Sequence, residues 1–147
     1  GNLTTVGERN ASGALVTPGI DYRVLQPRLI TDANGNRAAV SFDATGMVVG
    51  TAIMGKRDET PRQGDLLEGF VPDLADDVVA SHLTDPLADP HSILQRATTR
   101  LVYDLFVYYR TKEQPQPSPS VVYAMVRETH DADLALSGQT KIQHRFS

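Results

Sequence analysis

Two short runs, Asp32-Ala33-Asn34-Gly35 and Asp43-Ala44-Thr45-Gly46, each open on an aspartate and close on a glycine, and strand-like sequence flanks both. Asn-Gly readily takes positive φ in a tight hairpin, and an aspartate at the head of a turn bonds its own backbone. A chain that reverses twice so quickly has to lay its flanks side by side. The stretch from Asp21 to Gly55 is therefore predicted to be a three-stranded antiparallel meander. Pro27 inside "DYRVLQPRLIT" cannot donate to a ladder, so the first segment is expected at an edge or bulge. In "RAAVSFD", Ala38, Val40 and Phe42 fall on one face. From Met47 to Met54, one face carries Met47, Val49, Thr51 and Ile53. The other carries Val48, Gly50, Ala52 and Met54, small enough in the middle to admit a bulky neighbour.

The same stretch can be set against a calcium loop, because Asp32, Asn34, Asn36 and Asp43 match the oxygen-ligand spacing of an EF-hand. The position that needs glycine is Arg37, and "AAVSF" runs straight where the loop should curl. The hairpin accounts for more of the sequence than the ion does.

Lys56 to Gly69, polar and broken by Pro61 and Gly64, is expected to be an exposed loop. Leu74, Val78 and His82 recur at helical spacing, with Asp73 or Asp76 as a cap and a stop before Asp85-Pro86. Asp89 followed by Pro90 starts a second, short helix. Thr99 to Arg110 alternates with apolar residues on both faces, as in a strand covered on both sides. A proline-rich tip follows, and the strand from Val121 returns antiparallel. Ile142, His144 and Phe146 alternate in a final strand. The expected class is mainly β, an antiparallel sheet of meander plus further hairpin with two short helices, α+β by strict count. Residues 21–147 form the single domain and 1–20 a flexible stretch. The strand-like ending suggests a piece of a longer polypeptide.

The composition of 147 residues is 40% hydrophobic with a net charge of -4 and no cysteine, which suits one globular domain without disulfides or thiolate zinc. Scattered basic residues give no footprint for nucleic acid. No apolar run is long enough to insert in a membrane, and no signal peptide is visible.

Candidate chemistry is sparse. His82 and His91 flank Asp85 and Asp89, but no pair of imidazoles has metal-site spacing; His82 reads as a helix-end cation and His91 as a first-turn residue. "RETHDAD" gathers Glu128, His130, Asp131 and Asp133, which an Arg/Glu cross-strand pairing at Arg127 explains as well as acid/base work does. No nucleophile elbow or phosphate loop occurs. Tyr103, Tyr108, Tyr109 and Tyr123 can line a ligand groove or wall a core, and their location discriminates the two. The residues by themselves thus assign no catalytic, cofactor-binding or metal position, and no enzymatic activity is expected.

"DYRVLQPRLITDANGNRAAVSFDATGMVVGTAIMGK", "ATTRLVYDL", "RETH" and "KIQHRFS", in that order, resemble the middle-to-C-terminal region of the B component of bacterial insecticidal toxin complexes, the Tc toxins related to the SpvB and Rhs families. The likeness spans about Asp21 to Ser147 and is poorest over Asp58 to Gln95, where "GDLLEGF" stands out. It implies a secreted complex in which B and C components form a β-sheet shell around a cytotoxic effector, docked to a pore-forming A component. The implied partners are the rest of the B chain, the C component with its effector, and the A component. The alternative is a binding module whose aromatic strand face takes glycan or the A component. The family's proteolytic aspartates lie elsewhere, so no residue here inherits a catalytic role.

Overall fold

The computed structural model describes residues 4–10, 12, 14–128 and 140–147. In chain order the strands are β1 (Thr5–Val6), β2 (Glu8–Arg9), β3 (Leu15–Thr17), β4 (Ile20–Asp21), β5 (Gln26–Pro27), β6 (Leu29–Thr31), β7 (Arg37–Phe42) and β8 (Val48–Met54). Helices α1 (Asp76–Thr84) and α2 (Pro90–Leu94) follow, then β9 (Thr99–Asp104), helix α3 (Val107–Thr111), β10 (Val121–Arg127) and β11 (Ile142–Phe146). The principal sheet has seven strands in the order β1-β6-β7-β8-β9-β10-β11, and every neighbouring pair is antiparallel. β2 pairs with β3 and β4 with β5 in separate two-stranded ribbons.

The meander β6-β7-β8 is closed by one turn used twice. Asp32 N–H donates to Asn36 O and Gly35 N–H to Asp32 O, at 2.8 and 3.0 Å; Asp43 with Met47, and Gly46 with Asp43, repeat this at 2.9 and 3.1 Å. Asp32 Oδ1 accepts from Asn34 and Asn36 N–H, and Asp43 Oδ1 from Thr45 and Met47 N–H. Gly35 and Gly46 take φ of 86° and 87°, which a side chain rarely tolerates. Positive φ falls on Gly35 and not on Asn34, so the turn is the three-residue form with a glycine bulge.

Pro27 splits its segment as proline should. It pairs with Ile20 in the β4–β5 ribbon, and the ladder to β7 resumes only at Leu29. The inward face of β7 differs from expectation. Ala39, opposite Ala52, is buried and Ala38 exposed; a register shift between Ser41 and Phe42 then turns Phe42 inward. The spacing of Ala38, Val40 and Phe42 assumed an unbroken pleat.

One face of the sheet is covered. Leu29, Ala39, Ala52 and Met54 pack on Leu66, while Val102, Tyr123 and Met125 pack on Ile93, Leu94 and Ala97, with Leu74, Val79 and Leu83 of the α1 region beside them. The segment expected as an exposed loop dives into this core at Gly64, Asp65 and Leu66. Asp65 Oδ2 accepts from Thr98 Oγ1 at 2.6 Å, and Asp65 Oδ1 lies 3.5 Å from Arg127 Nε. Neither side chain has exposed surface. Arg127 also donates to Ala97 O, Gln95 O and Thr140 Oγ1. Among the described residues its ion pair is thus with a carboxylate of the covering loop and not with a cross-strand Glu.

Among the described residues, no helix or loop seals the other face as the first is sealed. Ile30, Ala38 and Ile53 follow one another across three strands, and Val40, Thr51, Thr99 and Val126 across four. No charge interrupts either row, and Ile53 is 55% exposed.

Two further expectations need correction. The strand from Thr99 ends at Asp104 instead of reaching Arg110: Asp104 Oδ1 accepts from Phe106 N–H, and its carboxylate pairs with Arg110, folding the continuation into a third helix, α3. The start of α1 has Ala75 at the cap position without a side-chain cap, because Asp73 Oδ1 is engaged by Ala44 N–H at 2.9 Å. Asp89 does cap α2, accepting from Ser92 N–H, with Pro90 in the first turn.

Two substitutions test the packing. Asp65→Ala removes the carboxylate 3.5 Å from the buried Arg127 Nε and the acceptor of Thr98 Oγ1, and is expected to cost about 3–5 kcal/mol in urea denaturation, with Asp65→Ala/Arg127→Met costing less than the sum of the single changes. A Cβ at Gly50 would lie 2.4 Å from Phe70 Cζ, and that ring is pinned by the Arg100 guanidinium 4.3 Å from its centroid. Gly50→Ala is expected to cost about 1–3 kcal/mol, and Phe70→Leu in the same chain to recover part of it.

Candidate functional site

The four oxygen-bearing residues of the calcium reading do not converge. Asp32, Asn34 and Asn36 sit at one end of β7 and Asp43 at the other, about 20 Å away at strand rise over six residues. Their carboxylates serve the turns. The Asn36 side-chain amide holds Asp32 below its ordinary value; at Asp43, burial pushes upward and the bonds from Thr45 and Met47 outweigh it. Among the described residues, no group of three or more His, Asp or Glu is placed to hold a metal ion.

Two histidines gather around Tyr123 nonetheless. The rings of His82 and Tyr123 meet edge-on with centroids 5.1 Å apart, and His144 lies 5.7 Å from the same ring, hydrogen-bonded through Nδ1 to the Tyr123 hydroxyl. Phe146 completes the cluster at 5.3 Å. His82 Nε2 and His91 Nδ1 are buried with no hydrogen-bond partner among the described residues. Burial, then the neighbouring His144 and Arg100, lower the pKa of His82 against a weaker pull from Asp89; burial and His91 lower that of His144. His82 sits near the helix end as expected, but as a neutral ring in the core and not as a cation on the dipole. His91 occupies the first turn of α2 as expected.

The remaining tyrosines do not share one face. Tyr123 is 3% exposed and belongs to the core; Tyr103 is half-buried; Tyr108 and Tyr109 stand exposed on α3. Of the "RETHDAD" residues, Arg127 is in the buried network and Glu128 Oε1 accepts from Gln143 Nε2 at 2.9 Å. His130, Asp131 and Asp133 lie outside the described residues.

A cleft opens at the Asp43/Asp104 end of the sheet, a cavity of about 640 Å³ between α1 and the diverging β8 and β9. Val49, Val79, Leu101 and Val102 supply apolar lining, and Asp43, Asp73, Asp76, Asp77 and Asp104 bring carboxylates. Arg100 lines it too, its Nη1 donating to Val71 O at 2.7 Å, its pKa lowered to about 10 by burial, with Asp73 opposing. Sequence spacing could not reveal this cleft, because its residues come from three separated segments, 43–49, 72–80 and 100–110.

The histidine cluster generates a pH dependence. Unfolded histidine takes up a proton near pH 6.5, and His82 and His144 do so at lower pH when folded. Between those values the unfolded chain binds more protons, so stability is complete above about pH 6.5 and declines as pH falls through the folded values. Urea midpoints at about pH 7.5 and about pH 5.5 should differ less in His82→Phe than in the unaltered chain.

No family model and no curated protein matches the chain. Solved structures that resemble it in fold include two TcdB2-TccC3 crystal structures. The crystal structure of TcdB2-TccC3-Cdc42 superposes with a TM-score of 0.56 at 17% identity, over 88% of this chain and 8% of that one. The crystal structure of TcdB2-TccC3-TEV gives 0.55 at 18% identity, over 94% and 8%. The chain therefore spans about a twelfth of the length of the proteins it resembles, and what it shares with them is a fold of the Tc toxin B-component kind.

Proposed function

We propose that this chain is a structural segment of a Tc-toxin-type B component, contributing sheet to the shell that encloses and delivers a cytotoxic effector, and that it is not itself an enzyme. The observation that carries this reading is the fold likeness over 88% and 94% of the chain to two TcdB2-TccC3 structures. Its sheet suits a wall: one face is sealed by loop and helices, while the other presents the uncharged rows through Ile53 and Val126, which stay wet unless more polypeptide covers them. Partners on this reading are other regions of the same polypeptide, a C component with its effector, and a pore-forming A component, assembled outside the producing cell. No helix among the described residues is long and apolar enough to cross a membrane.

Recognition of glycan or of the A component by an aromatic strand face has less support, because Tyr123 is spent in the core and Tyr108 and Tyr109 belong to a helix.

The test is assembly. The intact polypeptide that carries this sequence, co-expressed with its C component, is expected to co-elute as one hollow particle by electron microscopy and to shield the effector from added protease. Ile53→Lys/Val126→Lys should lower the yield of particle well below that of the unaltered chain. Particles that form normally with both lysines, or an effector cleaved as fast as when free, would refute the wall reading.

A further inference from the structure

The ladder between β8 and β9 holds only Gly50 with Arg100 and Thr51 with Thr99, although β8 continues to Val48 and β9 to Asp104. On their outer sides the same strands stay fully paired: Ser41, Phe42 and their predecessors with β8, and all of Thr99 to Asp104 with β10. The sheet is therefore split at one end. Paired strands lie about 4.8 Å apart and exchange backbone hydrogen bonds. Here a side chain bridges the gap, the Tyr103 hydroxyl donating to Val48 O at 2.7 Å. Beyond Arg100, the edge of β9 that faces β8 has no strand partner among the described residues.

We propose that this cleft is a docking site for an extended, basic peptide segment that pairs with the open edge of β9. The backbone argument sets the shape of the occupant, since an unpaired strand edge beside an apolar trough takes an extended chain. The charge argument sets its sign. Five aspartates line the cavity against two arginines: Arg110 is paired with Asp104, and Arg100 donates through Nη1 to Val71 O and lies over the Phe70 ring, its Nε making no hydrogen bond among the described residues. Asp76 and Asp77, in the first turn of α1, are exposed and make no side-chain hydrogen bond or ion pair among the described residues. A Lys or Arg of the occupant sets its charge against these two, while an apolar neighbour enters between Val49 and Leu101. Phe106, 67% exposed at the mouth, supplies an aromatic anchor. An anion is repelled by this rim, and a bare metal ion finds no group of three ligands among the described residues. The site stands whether or not the chain is part of a shell, because it rests on the split ladder and the rim alone.

Fluorescence anisotropy with the unaltered polypeptide and three labelled synthetic heptapeptides tests this. The first has the sequence Thr-Lys-Val-Arg-Val-Lys-Thr, the second replaces each cation with Glu, and the third is the basic peptide N-methylated at alternate residues so that it cannot pair its backbone. The basic peptide is expected to bind at least about tenfold more tightly than either of the others. Asp76→Asn/Asp77→Asn should weaken it about tenfold, as should Phe106→Ser, while thermal melts confirm that both variants fold. Amide chemical shifts should move at Val49, Leu101 and Val102 and stay fixed at Ile30. Equal binding of basic and acidic peptides, an asparagine variant that binds as well as the unaltered chain, no binding at all, or shifts clustered away from the cleft each overturn the proposal. Sedimentation that shows a dimer formed through the cleft would also overturn it, with a second copy as the occupant.

Discussion

A guanidinium and a carboxylate with no exposed surface, Arg127 and Asp65, hold the covering layer to the sheet. Moving either charge out of water is costly, and hydrogen bonds offset part of that cost: Thr98 donates to Asp65 Oδ2, and Arg127 donates to Ala97 O, Gln95 O and Thr140 Oγ1. The consequence is positional. Asp65 can meet Arg127 only if the segment after β8 turns inward, and that turn delivers Leu66 onto Leu29, Ala39, Ala52 and Met54. Thr98, bonded to Asp65, also accepts from Ile53 N–H at 2.8 Å, so the same contact fixes where β9 begins to pair with β8. The one polar knot thereby sets both the lid and the register beneath it.

Local chemistry was legible and tertiary choices were not. The two aspartate–glycine turns, the Asp89–Pro90 helix start, the antiparallel return of β10 on β9 and the last strand all follow from neighbours in sequence, and all are present. The small residue at Gly50 was read as an invitation to a bulky neighbour, and Phe70 accepts it. What failed depended on distant partners. Polar Lys56 to Gly69 looked exposed because Asp65 carries a charge whose counter-ion is encoded far away. Leu105 to Tyr109 alternated like a strand, yet Asp104 bonds Phe106 and Arg110 locally and turns the backbone into α3. Periodicity ranks faces only while the pleat is regular, and the bulge at Ser41/Phe42 broke it.

The candidate site was less legible still. Single-residue readings placed His82 on a helix and His144 on the last strand without relating them, whereas the fold brings both, 62 residues apart, against one tyrosine. Nor did any motif announce the split between β8 and β9, because a missing stretch of ladder leaves no residue signature. Of the aspartates that rim it, Asp73 and Asp76 were read as caps and Asp43 as a turn residue; Asp43 does hold its turn, while Asp73 accepts from Ala44 N–H and does not cap α1.

The paired turns of the meander also bear on the order in which the molecule forms. Each closes a loop of a few residues, so little chain entropy opposes β6, β7 and β8 as they zip together. The contact between Asp65 and Arg127 spans the middle of the chain and has to wait for β9, the three helices between them and β10. Until it closes, the small-residue groove over Gly50 stays open to whatever apolar surface arrives first. The late step is thus the one at which a nascent chain is most exposed to misassembly, and the early hairpins serve as its template.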